Sequence, residues 1–148
     1  MAYSTVANVQ SEFKALTIDG SSPLTTTEVT EFISQADTEI DAYIGTKYST
    51  PVSSSTAPIS IILLRQLSTW LTAHRVQEKL QVKSVSQEVD QEGNAVSLRQ
   101  RAIAILEKIQ KGQITLSDAT LANTQDGVSD YNSVNSVAPL FDAELEQW

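Results

Sequence analysis

The stretch ADTEIDAYIGTKYSTP, residues 36–51, decides how this chain folds. In its first half the apolar side chains recur at spacings of three and four residues, which is typical of an amphipathic helix. Gly45 suits the end of that helix, and Pro51 lies in the serine- and threonine-rich loop that follows. A more apolar segment begins after Pro58. The pattern therefore predicts two consecutive helices joined by a turn.

On the N-terminal side of the quoted stretch, the first of these two helices is predicted to cover residues 26–44. Threonines 25–27 offer hydroxyl groups that cap a helix start, and Glu28 suits the positive end of the helix dipole. One apolar stripe runs along the whole segment. Its members are Val29, Phe32, Ile33, Ala36, Ile40, Tyr43 and Ile44. This helix is expected to bury one face and expose the other.

The same periodicity predicts helices over residues 5–16, from Pro58 to residue 80 or 83, and over residues 97–111. The helix after Pro58 is the most apolar, so it is either central in the core or packed between its own domain and a neighbouring subunit. Residues 84–97 contain Gly93 and Asn94 and are predicted as a loop rather than a short hairpin. The predicted fold class is all-α, a small bundle of about four helices with an extended C-terminal tail.

The chain is expected to divide into a helical domain, 1–116, and a tail, 117–148. Residues 117–136 are too polar to build a core, but the terminus regains large apolar side chains. Leu140, Phe141, Leu145 and Trp148 are therefore predicted to dock on a partner. The alternative is that the tail folds back on its own domain.

Composition and charge exclude several classes of protein. The chain has no cysteine, and its net charge is −8, which disfavours affinity for nucleic acid through phosphate contacts. The net charge is −6 over residues 1–44, +4 over 45–111 and −6 over 112–148. This alternation indicates either ordinary solubility or acidic and basic surfaces that meet across subunits. The apolar run 59–64 is too short to span a membrane.

Candidate catalytic chemistry is sparse. His74 is the single histidine and has Glu78 four residues later, so a local contact is the expected role. Without cysteine or a second histidine, a zinc site or a histidine-activated nucleophile is hard to assemble. The acidic residues of the helix 26–44 are expected to form a solvated face. They are Glu28, Glu31, Asp37, Glu39 and Asp41. No enzyme activity, cofactor or metal is predicted.

The order of these features resembles the small head–tail connector proteins of tailed bacteriophages, also called adaptor or head-completion proteins. The resemblance is carried by the opening residues 1–6, the segment 36–52, the apolar helix after Pro58, the closing helix that ends at residues 109–116, and the terminal peptide 141–148. Together these segments cover most of the chain.

The resemblance implies a ring, a dodecamer, beneath the portal in the neck of the virion, made in the host cytoplasm and then assembled. The implied partners are the portal protein, the next neck or tail-completion protein, further copies of the chain, and DNA that passes without specific binding. Ile61, Leu64 and Trp70 are the predicted subunit-interface residues, and Glu28, Glu31 and Glu39 the predicted channel-lining residues. The alternative function is a monomeric or dimeric helical protein-binding module.

Overall fold

A computed structural model describes residues 2–13, 16–19, 23–80, 88–89 and 95–122. These residues form four helices, α1 (Val6–Ser11), α2 (Thr26–Ile44), α3 (Ser60–Leu80) and α4 (Leu98–Gln110). Two short strands, β1 (Glu88–Val89) and β2 (Ala95–Val96), lie between α3 and α4. The predicted small helical bundle is confirmed.

Side chains at the start of α2 cap the helix, as the sequence predicts. The Thr25 hydroxyl accepts a hydrogen bond from the backbone N–H of Glu28 at 3.3 Å, and the Glu28 carboxylate accepts one from the backbone N–H of Thr25 at 2.9 Å. This reciprocal capping box satisfies N–H groups that have no partner inside a helix. Ser97 and Gln100 form the same arrangement at the start of α4.

Helix α1 is shorter than the predicted 5–16, because it ends at Ser11. The Gln10 side chain explains how the chain leaves the helix. Its amide nitrogen donates to the carbonyl of Leu16 at 3.3 Å, and its amide oxygen accepts from the N–H of Ile18 at 3.3 Å. Ile18 is buried, so this segment packs on the bundle instead of extending α1.

Residues 84–97 contain a paired segment where a loop was expected. Strands β1 and β2 are antiparallel, with Glu88 opposite Val96 and Val89 opposite Ala95. The prediction of a loop was wrong for these four residues. Valine, a β-branched residue, favours extended backbone, and one valine lies in each strand.

Helix α3 is the centre of the bundle, packing against α1, α2 and α4. Two apolar clusters lie along it. The first joins α3 to the C-terminal half of α2 and to α4 and contains Ile40, Ile44, Leu64, Leu67, Leu71, Leu106 and Ile109. The second joins its other end to α1 and the start of α2 and contains Val9, Phe13, Leu24, Val29, Ile33 and Val76. The burial of α3 is thus accounted for within its own chain.

Helix α4 ends at a residue with left-handed backbone. Gly112 has φ 76°, and the N–H of Gln113 donates to the carbonyl of Lys108 at 2.8 Å. This is the geometry that favours glycine after a helix, so the predicted stop at Gly112 is confirmed. The turn directs the chain back across the bundle end, where Leu116 is buried.

Candidate assembly surfaces

One end of the bundle carries an exposed apolar surface. Ile59 is 67 % exposed, Ile62 63 % and Leu121 68 %, and these are the exposed large apolar side chains in the described part of the chain. Ile59 and Ile62 lie three residues apart at the start of α3, so they share one side of that helix end. We call Ile59, Ile62 and Leu121 the end patch.

Asp118 fixes the two segments of the end patch to each other. Its carboxylate accepts hydrogen bonds from the backbone N–H of Ile59 at 2.6 Å and of Ser60 at 3.0 Å, and from the Ser60 hydroxyl. A residue distant in sequence therefore caps α3. These hydrogen bonds, that of the Ser60 hydroxyl first, hold the pKa of Asp118 below its usual value. Leu121 follows three residues later, at the same end of the bundle.

A short backbone pairing secures this return of the chain. The N–H of Ser49 donates to the carbonyl of Thr120 at 2.8 Å, and the N–H of Ala122 donates to the carbonyl of Lys47 at 2.8 Å. The Tyr48 hydroxyl accepts from the N–H of Leu116 at 3.0 Å. The packed part of the chain thus reaches residue 122, past the predicted domain boundary at 116. The predicted docking residues Leu140, Phe141, Leu145 and Trp148 lie outside the described residues.

The predicted subunit-interface residues are placed mostly inside the bundle. Ile61 is 6 % exposed and Leu64 is fully buried, so both serve the core of their own chain. Trp70 is half-buried and packs against both apolar clusters. The Arg101 guanidinium lies 4.4 Å from the centre of the Trp70 ring, a cation–π geometry. The exposed apolar residues at the start of α3 are Ile59 and Ile62 instead.

Two of the three predicted channel-lining acids form ion pairs, where the sequence predicted a solvated face. Glu39 is 18 % exposed and accepts from Arg99 at 2.6 Å and from Arg75 at 3.3 Å. Glu28 pairs with Lys79 at 2.5 Å, and the hydrogen bonds from Lys79 and Thr25 lower the pKa of Glu28 to about 2. These pairs tie α2 to α3 and α4.

Glu31 differs from the other two acids. Its side chain is exposed, and it has no ion pair among the described residues. Of the three predicted channel-lining residues, Glu31 alone keeps the exposed position that the sequence predicted.

Asp37 and Asp41 form a polar network under the N-terminal segment. The Asp37 carboxylate is 7 % exposed and accepts from the backbone N–H of Tyr3 at 2.9 Å and from the Ser68 hydroxyl at 2.5 Å. The Tyr3 hydroxyl donates to Asp41 and accepts from the N–H of Val52 at 3.0 Å. Burial raises the pKa of Asp37 and that of Tyr3. The expectation that Asp37 is solvated was wrong.

The sequence did carry a signal for this network. Asp37 lies four residues after Ile33 and three before Ile40, on the apolar stripe of α2, where a charged residue needs a buried partner. An open cleft of about 350 Å³ lies beside the network, between the N-terminal segment and α2. Its lining mixes serine and threonine hydroxyls and the two aspartates with apolar side chains, which is not a catalytic constellation.

The single histidine lies beside an acidic side chain of its own helix. His74 Nε2 lies 3.5 Å from Glu78 Oε1, the predicted local contact. Within the described ranges, no group of histidine and acidic side chains has the arrangement of a metal site. None of the described helices is both long enough and apolar enough to cross a membrane.

Comparison with known proteins identifies the family. The family model described as Bacteriophage Mu, Gp36 matches residues 3–133. The match begins at the buried Tyr3, includes all four helices and both strands, and extends past Asp118 and the end patch. No curated protein and no solved structure matches the chain. Because the family match covers most of the sequence, the chain belongs to the bacteriophage Mu Gp36 family.

Proposed function

We propose that this chain is a structural protein of the virion, a head–tail connector that forms a ring under the portal and links the capsid to the tail. The observation that carries the proposal is its membership of a bacteriophage family over residues 3–133. The order of sequence features that resembles connector proteins supports it, as does a helical bundle of the expected size.

The surfaces of the bundle fit a protein that works by contact. A ring subunit needs faces for its neighbours and a means of attachment along the axis. The ends of α2 and α3 are fixed by Asp118 and by the pairing of residues 47–49 with 120–122, which makes a rigid support. The C-terminal docking residues Leu140, Phe141, Leu145 and Trp148 would supply attachment to the portal or the next neck protein.

The acidic character of the chain supports a passage for DNA. Like charge opposes phosphate binding, so an acidic wall lets DNA move without being retained. Glu28 and Glu39 are neutralised by lysine and arginine partners, whereas Glu31 is exposed. We therefore place Glu31 on the channel wall and give Glu28 and Glu39 the role of joining helices.

Electron microscopy of particles whose genome encodes this chain tests the proposal. We expect a ring of this protein between portal and tail, and we expect particles that lack the gene to accumulate filled heads without tails. Complementation with the unaltered gene should restore tailed particles, and so should a control gene with the exposed residue Ala7 changed to serine.

Absence of the chain from purified particles would contradict the proposal. In that case native mass spectrometry of the isolated protein decides the alternative, since a stable monomer or dimer with normal particle assembly favours a helical protein-binding module.

A further inference from the structure

We infer that the chain's own C-terminal segment, residues 140–148, binds the end patch and covers Ile59, Ile62 and Leu121 in the free protein. The inference goes beyond the proposed function and does not depend on it. Only its consequence for assembly, given below, rests on the connector role.

The end patch is apolar and open to solvent. Ile59, Ile62 and Leu121 are each more than three-fifths exposed, while the other large aliphatic side chains in the described ranges are buried or partly covered. Their positions are fixed rather than accidental, because Asp118 binds the backbone of Ile59 and precedes Leu121 by three residues. Apolar side chains exposed at one end of a bundle offer a surface that an apolar segment covers favourably.

The chain leaves the bundle beside the end patch. Ala122 is paired with Lys47 and follows Leu121 directly, so the segment from residue 123 onward starts at the patch itself. The polar tether between Ala122 and Leu140 has a root-mean-square span of about 23 Å if it behaves as a flexible coil. That span keeps the terminus at an effective concentration on the order of millimolar. A second copy of the chain at micromolar concentration therefore competes poorly with the tethered segment for the end patch.

The terminal segment has large apolar residues at helical spacing. Phe141, Leu145 and Trp148 are spaced by four and three residues, so a helical turn would present all three on one side. The same segment carries the acids Asp142, Glu144 and Glu146. The segment therefore offers an apolar side for the patch and a negative rim.

The same end of the bundle also carries lysine side chains. Lys108 and Lys111 are exposed at the end of α4, where Lys111 pairs with Glu107 at 3.4 Å. The Lys47 ammonium reaches the Gly112 turn, lying 2.6 Å from where a Cβ on that glycine would stand. Complementary charge favours this orientation of the segment over others. Under the proposed function, the patch would hold the docking segment until a portal or neck surface displaces it.

Paramagnetic relaxation in the full chain tests this placement. The chain has no cysteine, so Gln66→Cys gives a single nitroxide site on exposed α3 surface, one turn beyond Ile62. We expect the nitroxide to remove most of the intensity of the Trp148 indole N–H signal, assigned by its loss in Trp148→Phe. The Trp70 indole, one turn from the label, is the internal positive control. A mixture of isotope-labelled chain without nitroxide and nitroxide-labelled chain without isotope should keep full Trp148 intensity.

Two variants make the result specific. Ile59→Ser, Ile62→Ser and Leu121→Ser together should restore the Trp148 signal in the spin-labelled chain, with the Trp70 indole chemical shift, read after the nitroxide is reduced, reporting that the bundle is intact. The matched triple control changes exposed alanines elsewhere, Ala7→Ser, Ala42→Ser and Ala104→Ser, and should leave the loss unchanged. Full Trp148 intensity in the labelled chain, persistent loss in the patch variant, or loss in the mixed sample would each overturn the inference, the last in favour of a second copy as occupant.

Discussion

At the scale of single residues, the polar side chains of α2 matter most for how the bundle is held. Asp37 occupies a core position and accepts hydrogen bonds from Tyr3 and Ser68, so it secures the N-terminal segment to α2 and α3. Its raised pKa means that the folded state binds a proton more readily than the unfolded chain. The contribution of this group to stability therefore decreases as pH rises from its ordinary pKa through the raised one.

We expect Asp37→Ala to lower the free energy of unfolding by about 2 kcal/mol or more, because the Tyr3 N–H and the Ser68 hydroxyl lose their buried acceptor. Urea denaturation followed by circular dichroism measures the change. The neighbouring exposed residue supplies the control, and Thr38→Ala should leave stability nearly unaltered. Equal losses in the two variants would show that the Asp37 network contributes little.

Glu39 and Glu31 lie on the same helix but have different surroundings. Glu39 is paired with two arginines, whereas Glu31 is exposed. Glu39→Lys places a cation beside Arg75 and Arg99, so we expect a loss of stability of about 2–3 kcal/mol. Glu31→Lys, at an exposed position, should change stability by less than about 0.5 kcal/mol. Thermal and urea unfolding of both variants check the contrast. If both fold with the stability of the parent chain, the ion pairs of Glu39 are not structural.

At the scale of elements, the start of α3 depends on a residue that follows α4. The sequence predicts that a helix begins after Pro58, but no nearby hydroxyl or carboxylate accepts from the backbone N–H groups of Ile59 and Ser60. Asp118 does so from 58 residues away. Such a cap makes the start of one helix conditional on the path of the chain after another.

The lowered pKa of Asp118 gives this contact a pH signature. Since the folded state favours the carboxylate, its contribution to stability is present above the ordinary pKa of an aspartate and is lost as pH falls through the lowered value. We expect Asp118→Asn to be less stable than the parent at neutral pH and the difference to shrink in acid. Thermal unfolding at a series of pH values measures it. Ser117→Ala, at an exposed position, is the control and should leave the pH dependence of the parent unchanged.

At the scale of the whole molecule, sequence segments of opposite net charge form ion pairs with each other within the folded chain. Acids of the N-terminal third pair with bases of the middle third, Glu28 with Lys79 and Glu39 with Arg75 and Arg99. Neither solubility nor contact between subunits alone explains the alternation. The pairs join α2 to α3 and α4, so part of the charge pattern specifies how the helices are arranged.

The extent of the folded unit is also a property of the whole molecule. A chain that ends at residue 116 lacks Asp118 and the two backbone hydrogen bonds between residues 47–49 and 120–122, each worth ~1 kcal/mol. We expect it to unfold at clearly lower urea concentration than a chain that ends at residue 122. Coincident unfolding curves of the two truncated chains would show that residues 117–122 add nothing to the fold.

The amino-acid sequence by itself determined the helical class, the bounds of α2, the caps at Thr25 and Ser97 and the stop at Gly112. Those features depend on spacing and on contacts between residues five or fewer positions apart, which the sequence displays directly. Only the tertiary structure decided which partners Asp37 has, that Glu39 joins three helices and that Asp118 caps α3. These contacts join residues 31 or more positions apart, and their partners are set by how the helices pack. The end patch belongs with them, because exposure of Ile59, Ile62 and Leu121 beside buried Ile61 and Leu64 follows from which side of α3 meets α2 and α4.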